Sequence, residues 1–253
     1  MSTAAALQII GLDGVPDVQP GMDLLTLVQT AMQVSDFTFA PGDILVVTSK
    51  IVSKAEGCLI DLDTITPSDL ATRYAQAWDK DPRQIEVILR ESRRIVRMDK
   101  GILLSETHHG FVCANAAVDA SNVAGSNTVC VLPPDPDASA ARLGAALQAH
   151  LGYPVPILIT DSFGRAWRFG IVNVAIGAWG LDTVIDYRGQ YDPYGYLMSA
   201  SILAIGDELA SAAELVMGKV AARPLAVIRG YAWTASEAGA RPLILPPERD
   251  MFR

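Results

Sequence analysis

Two short stretches of this chain place a carboxylate directly after an apolar run. Ile159-Thr160-Asp161-Ser162-Phe163-Gly164-Arg165-Ala166-Trp167-Arg168 sets an acid and a hydroxyl at the end of a β-rich segment and follows them with two arginines. Ala117-Val118-Asp119-Ala120-Ser121-Asn122-Val123 gathers an acid, a hydroxyl and an amide. Carboxylate and hydroxyl oxygens are hard ligands suited to Mg²⁺ or Mn²⁺, and guanidinium forks match carboxylate or phosphate. Either stretch alone is equally well a polar turn, because Asp, Asn and Ser side chains close turns by bonding their own backbone.

Two more stretches share the pattern of small residues beside a polar cluster. Thr48-Ser49-Lys50-Ile51-Val52-Ser53-Lys54-Ala55-Glu56-Gly57 leaves the apolar run 44–48 with two lysines and two serines, types that suit phosphate oxygens. The same residues would also guard an edge strand. Gly14-Val15-Pro16-Asp17 is a tight loop whose backbone can approach a ligand closely. Taken jointly, two aspartates with lysines and arginines describe a metal-assisted phosphate site. Magnesium takes one or two carboxylates and lets substrate phosphates complete its shell, offsetting charge as a phosphoryl group moves. The residues point to metal-dependent nucleotide or phosphoester chemistry and do not choose a substrate.

The elements that must position these groups follow from patterning. Strands are expected at residues 7–10, 44–48, 102–104, 110–114 and 225–230, and in the apolar run that ends at Asp161. Helices are expected at 23–34, started near Asp23, at 138–151, closed by Gly152, and at 199–219. Residues 67–97 read as two helical pieces broken at Asp81-Pro82. Strands and helices mix without strict alternation, so the fold class is α+β with mixed sheets. The chain, 253 residues, suits one domain, possibly built as two interleaved subdomains.

Composition narrows the partners. Half of the residues are hydrophobic and the net charge is −8, which fits a globular protein and argues against non-specific nucleic-acid binding. The three cysteines, Cys58, Cys113 and Cys130, form no paired motif and read as buried thiols in a reducing compartment. No signal peptide and no membrane-length apolar run are read, so a cytoplasmic protein is expected. Familiar catalytic motifs fail on spacing: there is no P-loop, GxGxxG, HExxH or GxSxG. Asp61-Leu62-Asp63 reads as a surface turn, and the adjacent His108-His109 lack the partners of a metal set.

The four stretches, together with Asp192-Pro193-Tyr194-Gly195, closely resemble the coenzyme F420:L-glutamate ligase family along essentially the whole chain. The resemblance implies a GTP-dependent ligase that joins L-glutamate to coenzyme F420-0 and then adds further γ-linked glutamates. It also implies an unusual α+β ligase fold, an intertwined homodimer, and Mg²⁺ or Mn²⁺. Carried over by matching motif, Asp119 and Asp161 would ligate metal with Ser162 beside them. Gly14, Val15, Pro16, Asp17, Ser49, Lys54 and Asn122 would contact GTP, as would Gly218, Lys219, Val220 and Ala221 after the long helix. Lys54 would assist phosphoryl transfer. Arg165 and Arg168, from their position, are candidates for holding the substrate's phosphodiester or carboxylate.

The chain departs from the family pattern at three places. Ala117 stands where the family has glycine, the first loop carries an additional Leu12-Asp13-Gly14, and Lys219 lies where some members place a second metal ligand. No C-terminal reductase-like domain of the kind fused in some relatives is expected. Two alternatives stay open: a related GTP-dependent amide ligase acting on another carboxylate, and a catalytically silent nucleotide-binding protein.

Overall fold

Apolar residues at positions 44–47 and 157–159 are all fully buried, so these two segments form the centre of a sheet covered on both faces. The structure, a computed structural model, describes residues 6–120 and 127–251. In chain order the first elements are β1 (Gln8–Leu12), α1 (Leu24–Val34), β2 (Ile44–Thr48), α2 (Ser49–Ala55), β3 (Leu59–Asp61), α3 (Asp69–Trp78), α4 (Pro82–Arg90), β4 (Ser92–Asp99), β5 (Ile102–Thr107) and β6 (Val112–Ala114). They are followed by β7 (Thr128–Cys130), α5 (Pro136–Leu151), β8 (Ile157–Arg165), β9 (Arg168–Trp179), β10 (Ile185–Asp186), β11 (Ile202–Leu203), α6 (Ile205–Met217) and β12 (Leu225–Arg229).

The main sheet has the order β1-β12-β2-β8-β9. β2 and β8 run parallel, while the other neighbours are antiparallel. Alternation along each strand then splits the core in two. Leu45, Val47, Ile157, Ile159, Leu225 and Val227 face α1, α2 and α5 through Leu27, Val28, Val52, Leu143 and Leu147. Ile44, Val46, Leu158, Ala226 and Ile228 face α6 through Leu209, Ala213 and Met217. Each such side chain contributes about 1.5–3 kcal/mol of transfer free energy when fully buried. A third cluster, with Leu62, Ala71, Ile85, Ile88 and Leu103, joins α3 and α4 to the small sheets β4-β5-β6 and β3-β7.

The helix boundaries have local chemical causes. Asp23, Ser68, Asp81 and Asp135 each accept a hydrogen bond from a first-turn amide, and Pro82 and Pro136 occupy the first turns that need no donor. Gly152 closes α5 in the left-handed region at φ 83°.

The α+β expectation is met, and four segments differ from the sequence pattern. Residues 49–55 form a helix and not an edge strand, and β2 lies between β12 and β8. Helix α4 stops at Arg90, so Arg93, Arg94 and Arg97 lie on β4, where Glu106 of β5 pairs with the first two. The 199–219 helix is confined to Ile205–Met217, because 202–203 pair with β10 and Gly218 adopts φ 62°. The Asp161 stretch does not turn out at Gly164. It continues as β8 to Arg165 and folds back as β9, a strand the patterning did not reveal. Trp167 (φ 56°) makes that turn. Among the described residues no helix is long and apolar enough to cross a membrane.

Candidate functional site

Helix α2 begins where the buried strand β2 ends, so its first residues emerge at the carboxyl edge of the parallel β2–β8 pair. Three acids from distant parts of the chain meet it there. Ser49 Oγ donates to Asp161 Oδ1 at 2.9 Å, Lys50 Nζ lies 2.5 Å from Asp119 Oδ2, and Lys54 Nζ lies 2.9 Å from Asp17 Oδ1. The parallel register Thr48↔Thr160 explains the first contact: it brings Ser49 and Asp161, the next residue on each chain, together. Lys54 is buried while Asp17 is mostly exposed, so that pair holds the first loop over α2 without contributing more than about 1 kcal/mol.

Asp119 is placed by an unusual backbone. Asn115, Ala116 and Ala117 are consecutive left-handed residues with φ of 54°, 51° and 57°. Such geometry costs a non-glycine residue about 1–2 kcal/mol. Asn115 Oδ1 accepts from Leu103 N at 3.1 Å and its carbonyl from Val118 N at 2.9 Å, which fixes the turn. Asp119 then exchanges two backbone hydrogen bonds with Cys130.

Burial pushes the Asp161 carboxyl up to about 6, against the lowering pull of the Ser49 hydroxyl and the Lys50 ammonium, while the Asp119 charge pushes it up. Burial also drives the Cys113 thiol up to about 12, with the Asp161 charge adding to it, so this cysteine is an inert wall of the site. The three cysteines form no disulfide.

Ser162 points to the other face of β8. Its hydroxyl donates to Asn173 Oδ1 at 2.6 Å and accepts from Lys219 Nζ. Lys219 also pairs with Glu214 Oε1 at 2.9 Å. The segment Gly218, Lys219, Val220 and Ala221 therefore meets the face of β8 opposite Asp161, through Lys219, and Val220 is almost wholly exposed. Gly14 (φ 87°) backs onto Val34, whose Cβ would lie 2.5 Å from an added Cβ, and Val15 packs against the first core. Pro16 is exposed.

Arg165 and Arg168 face each other across the β8–β9 turn, four and seven residues beyond Asp161. Arg165 Nη2 donates to Phe169 O at 3.3 Å. Trp167 and Phe169 are exposed at 81% and 105%, so neither is packed behind the arginines. Asn122 and Ser121 lie outside the described residues. His108 and His109 bind backbone carbonyls of Arg90 and Pro133 and take no part in a metal set. Asp61 forms the expected turn by accepting from Asp63 N.

Lys50 and Asn173 contact the expected residues Asp119 and Ser162 and were not singled out by motif reading. The signal for Lys50 was its spacing of four from Lys54, which places both one turn apart on a helix. Asn173 had no such signal, since strand β9 was itself unforeseen. Among the described residues no three of His, Cys, Asp and Glu gather as a ligand set. The donors nevertheless fit a hard divalent cation that keeps phosphate oxygens in its shell. Asp119 already faces the ammonium of Lys50, so its position accepts positive charge, whereas Ser162 lies on the opposite face of β8 from Asp161 and does not join the expected metal set.

Basic and acidic groups are thus clasped at the end of a buried parallel pair, an arrangement whose chemistry suits phosphate oxygens. Comparison with known proteins carries this further. Residues 14–230 match the F420-0:Gamma-glutamyl ligase family. The chain is 42% identical over 250 residues to the coenzyme F420:L-glutamate ligase of Methanothermobacter thermautotrophicus, covering 98% of this chain and 99% of that protein. It is 44% identical over 241 residues to the coenzyme F420:L-glutamate ligase of Methanopyrus kandleri, covering 93% of each. It is 39% identical over 221 residues to that of Methanocaldococcus jannaschii, covering 87% of this chain and 88% of the relative. The chain belongs to the F420-0:gamma-glutamyl ligase family, and it is a ligase.

Proposed function

We propose that the chain joins L-glutamate to coenzyme F420-0 and extends the product by γ-linked glutamates, using GTP and Mg²⁺ or Mn²⁺. The observation that carries this reading is the convergence of Asp161, Asp119 and Asp17 on Ser49, Lys50 and Lys54 of one helix, in a chain whose relatives bear that ligase name.

A carboxylate does not condense with an amine until one of its oxygens becomes a leaving group. The acceptor carboxylate attacks the γ-phosphorus of GTP, the bond to the bridging oxygen breaks, and GDP departs. The glutamate amine then attacks the acyl carbon of the acyl phosphate, expels inorganic phosphate and gives up a proton. Asp119 and Asp161 would hold a divalent cation, which would supply charge compensation for the phosphates.

The chain's own groups do the rest. Lys50 and Lys54 supply positive charge along the phosphates, and Ser49 keeps the Asp161 carboxylate oriented toward the site. Asn173 Oδ1 accepts the Ser162 hydrogen bond, which leaves the hydroxyl lone pairs to face Lys219. The loop Gly14–Asp17, held by Lys54, walls the nucleotide. Arg165 and Arg168 reach for the acceptor's anionic groups from the β8–β9 hairpin. The exposed Trp167, Phe169 and Ile171 on that hairpin support a homodimer in which a second copy covers them.

The test is incubation with GTP, Mn²⁺, L-glutamate and F420-0. One glutamate residue of added mass per GDP released supports the reading. GDP release with no glutamate added to F420-0, restored by a different carboxylic acid, selects the related amide ligase. GTP binding without any GDP release selects the silent nucleotide-binding protein.

A further inference from the structure

A cavity of about 250 Å³ opens beside the site, lined among others by His108, His109, Phe111, Asp135, Ile176 and Arg241. Its position follows from the strand register. Val174 of β9 lies opposite Asp161 of β8. Ile176 stands two residues further along β9, at the register shift opposite Ile159 and Thr160, and packs with Val174 in the same core. Phe111 forms the adjoining wall and meets Phe163, two residues beyond Asp161, with ring centroids 6.0 Å apart. The cavity is thus linked to the strand segment of Asp161 through Ile176 and through the Phe111–Phe163 contact.

Its polar groups are of both signs. Arg241 has no ion-pair or hydrogen-bond partner for its guanidinium among the described residues, and its place is fixed because Ala240 N donates to Asp137 Oδ1 at 2.9 Å. Asp135 uses Oδ1 to cap α5 through Ala138 N, which leaves Oδ2 for a further donor. His109 gives its Nε2 proton to Pro133 O at 2.8 Å, so Nδ1 carries the lone pair, and that atom is buried with no hydrogen-bond partner among the described residues. Asp137, the other lining carboxylate, is engaged by the amides of Ala178 and Ala240, so the cavity offers one guanidinium without a protein partner and two acceptors with lone pairs to spare, the complement of a zwitterion.

We infer that this cavity is the subsite for the amino-acid co-substrate, an α-amino dicarboxylate, with Arg241 binding a carboxylate and Asp135 and His109 facing the ammonium. The inference rests on the ligase reading above and names where its second substrate enters. The volume admits a molecule of glutamate's size and excludes the deazaflavin acceptor, which is several times larger. Occupancy from this side would deliver an amine toward Asp161 from the edge-strand flank, opposite the loop held by Lys54.

Saturation-transfer NMR of L-glutamate on the full chain tests the subsite without catalysis. Signal is expected for the wild-type chain and its loss is expected in Arg241→Gln. Asp135→Asn, which keeps the α5 cap because asparagine caps as well as aspartate, should weaken it too. Equal signal in wild type and Arg241→Gln, or none in the wild type, overturns the assignment. In the ligase assay, Arg241→Gln should raise the glutamate KM roughly tenfold or more, with the GTP KM within about twofold of wild type. An unchanged glutamate KM overturns the subsite even when ligation proceeds. Glutamate binding that Arg241→Gln abolishes, in a wild-type chain that ligates nothing, leaves the subsite standing and removes the ligase reading.

Discussion

The ammonium of Lys50 lies 2.5 Å from Oδ2 of Asp119, across 69 residues of chain. The carboxylate assigned to a metal is thus already neutralised by a cation of the protein. Any divalent ion that enters must share Asp119 with Lys50 or displace it. Lys50→Met is expected to tighten Mn²⁺ binding, read by paramagnetic titration, because the competing charge is gone. The same variant should lower kcat about 10²-fold or more, as removal of a positioned donor does elsewhere, read by GDP release. Weaker Mn²⁺ binding together with normal turnover would remove Lys50 from the site.

Asp161 predicts a pH dependence whose sign is fixed by its raised pKa. In the metal-free protein the native state holds this proton up to about pH 6, while the unfolded chain releases it near 3.8. Stability therefore falls as pH rises through that window, and the penalty is complete above it. Asp161→Asn should stabilise the metal-free chain at pH 7.5 by on the order of 1–3 kcal/mol and by nothing at pH 3.5. Urea unfolding in chelator at the two pH values measures the difference.

Ala117 occupies a left-handed position that favours glycine. Ala117→Gly relieves the Cβ strain and adds unfolded-state entropy, for a net gain of about 0.5–1 kcal/mol. The denaturation midpoint should rise with an unchanged slope. A fall in the midpoint would show that the turn is held without strain.

The β8–β9 hairpin carries its apolar residues into solvent, with Phe169 exposed at 105% and Ile171 at 55%. Phe169→Glu combined with Ile171→Glu is expected to convert a homodimer to a monomer, measured by light scattering on a sizing column. A wild-type chain that runs as a monomer would end the homodimer proposal.

The central elements were legible because their periods were clean. The run Ile44-Leu45-Val46-Val47 reads as a strand buried on both faces, and Asp23 and Gly152 announce the ends of α1 and α5. Residues 91–97 failed because Arg93, Arg94 and Arg97 carry good helix propensity, and only the pairing with β5 decides for strand. Strand β9 was hidden because Gly164, Gly170 and Gly177 interrupt it and its hairpin with turn-like residues. At the site, the acids Asp119 and Asp161 stood out by position in their motifs. Which cation each would face depended on the β2–β8 register and on α2 being a helix, and neither is written in the local sequence.

Helix α2 has seven residues, and the side chains it binds lie 112, 69 and 37 residues away. A fragment must span residues 17–161 to contain all of them. Closing loops of that length before any contact rewards them is slow, so the site is completed late in folding. Any ligand that binds the assembled site and not the partly folded chain draws the protein toward its native state. Substrate supply would thereby set how much of this protein survives in the cell, as well as how fast it turns over.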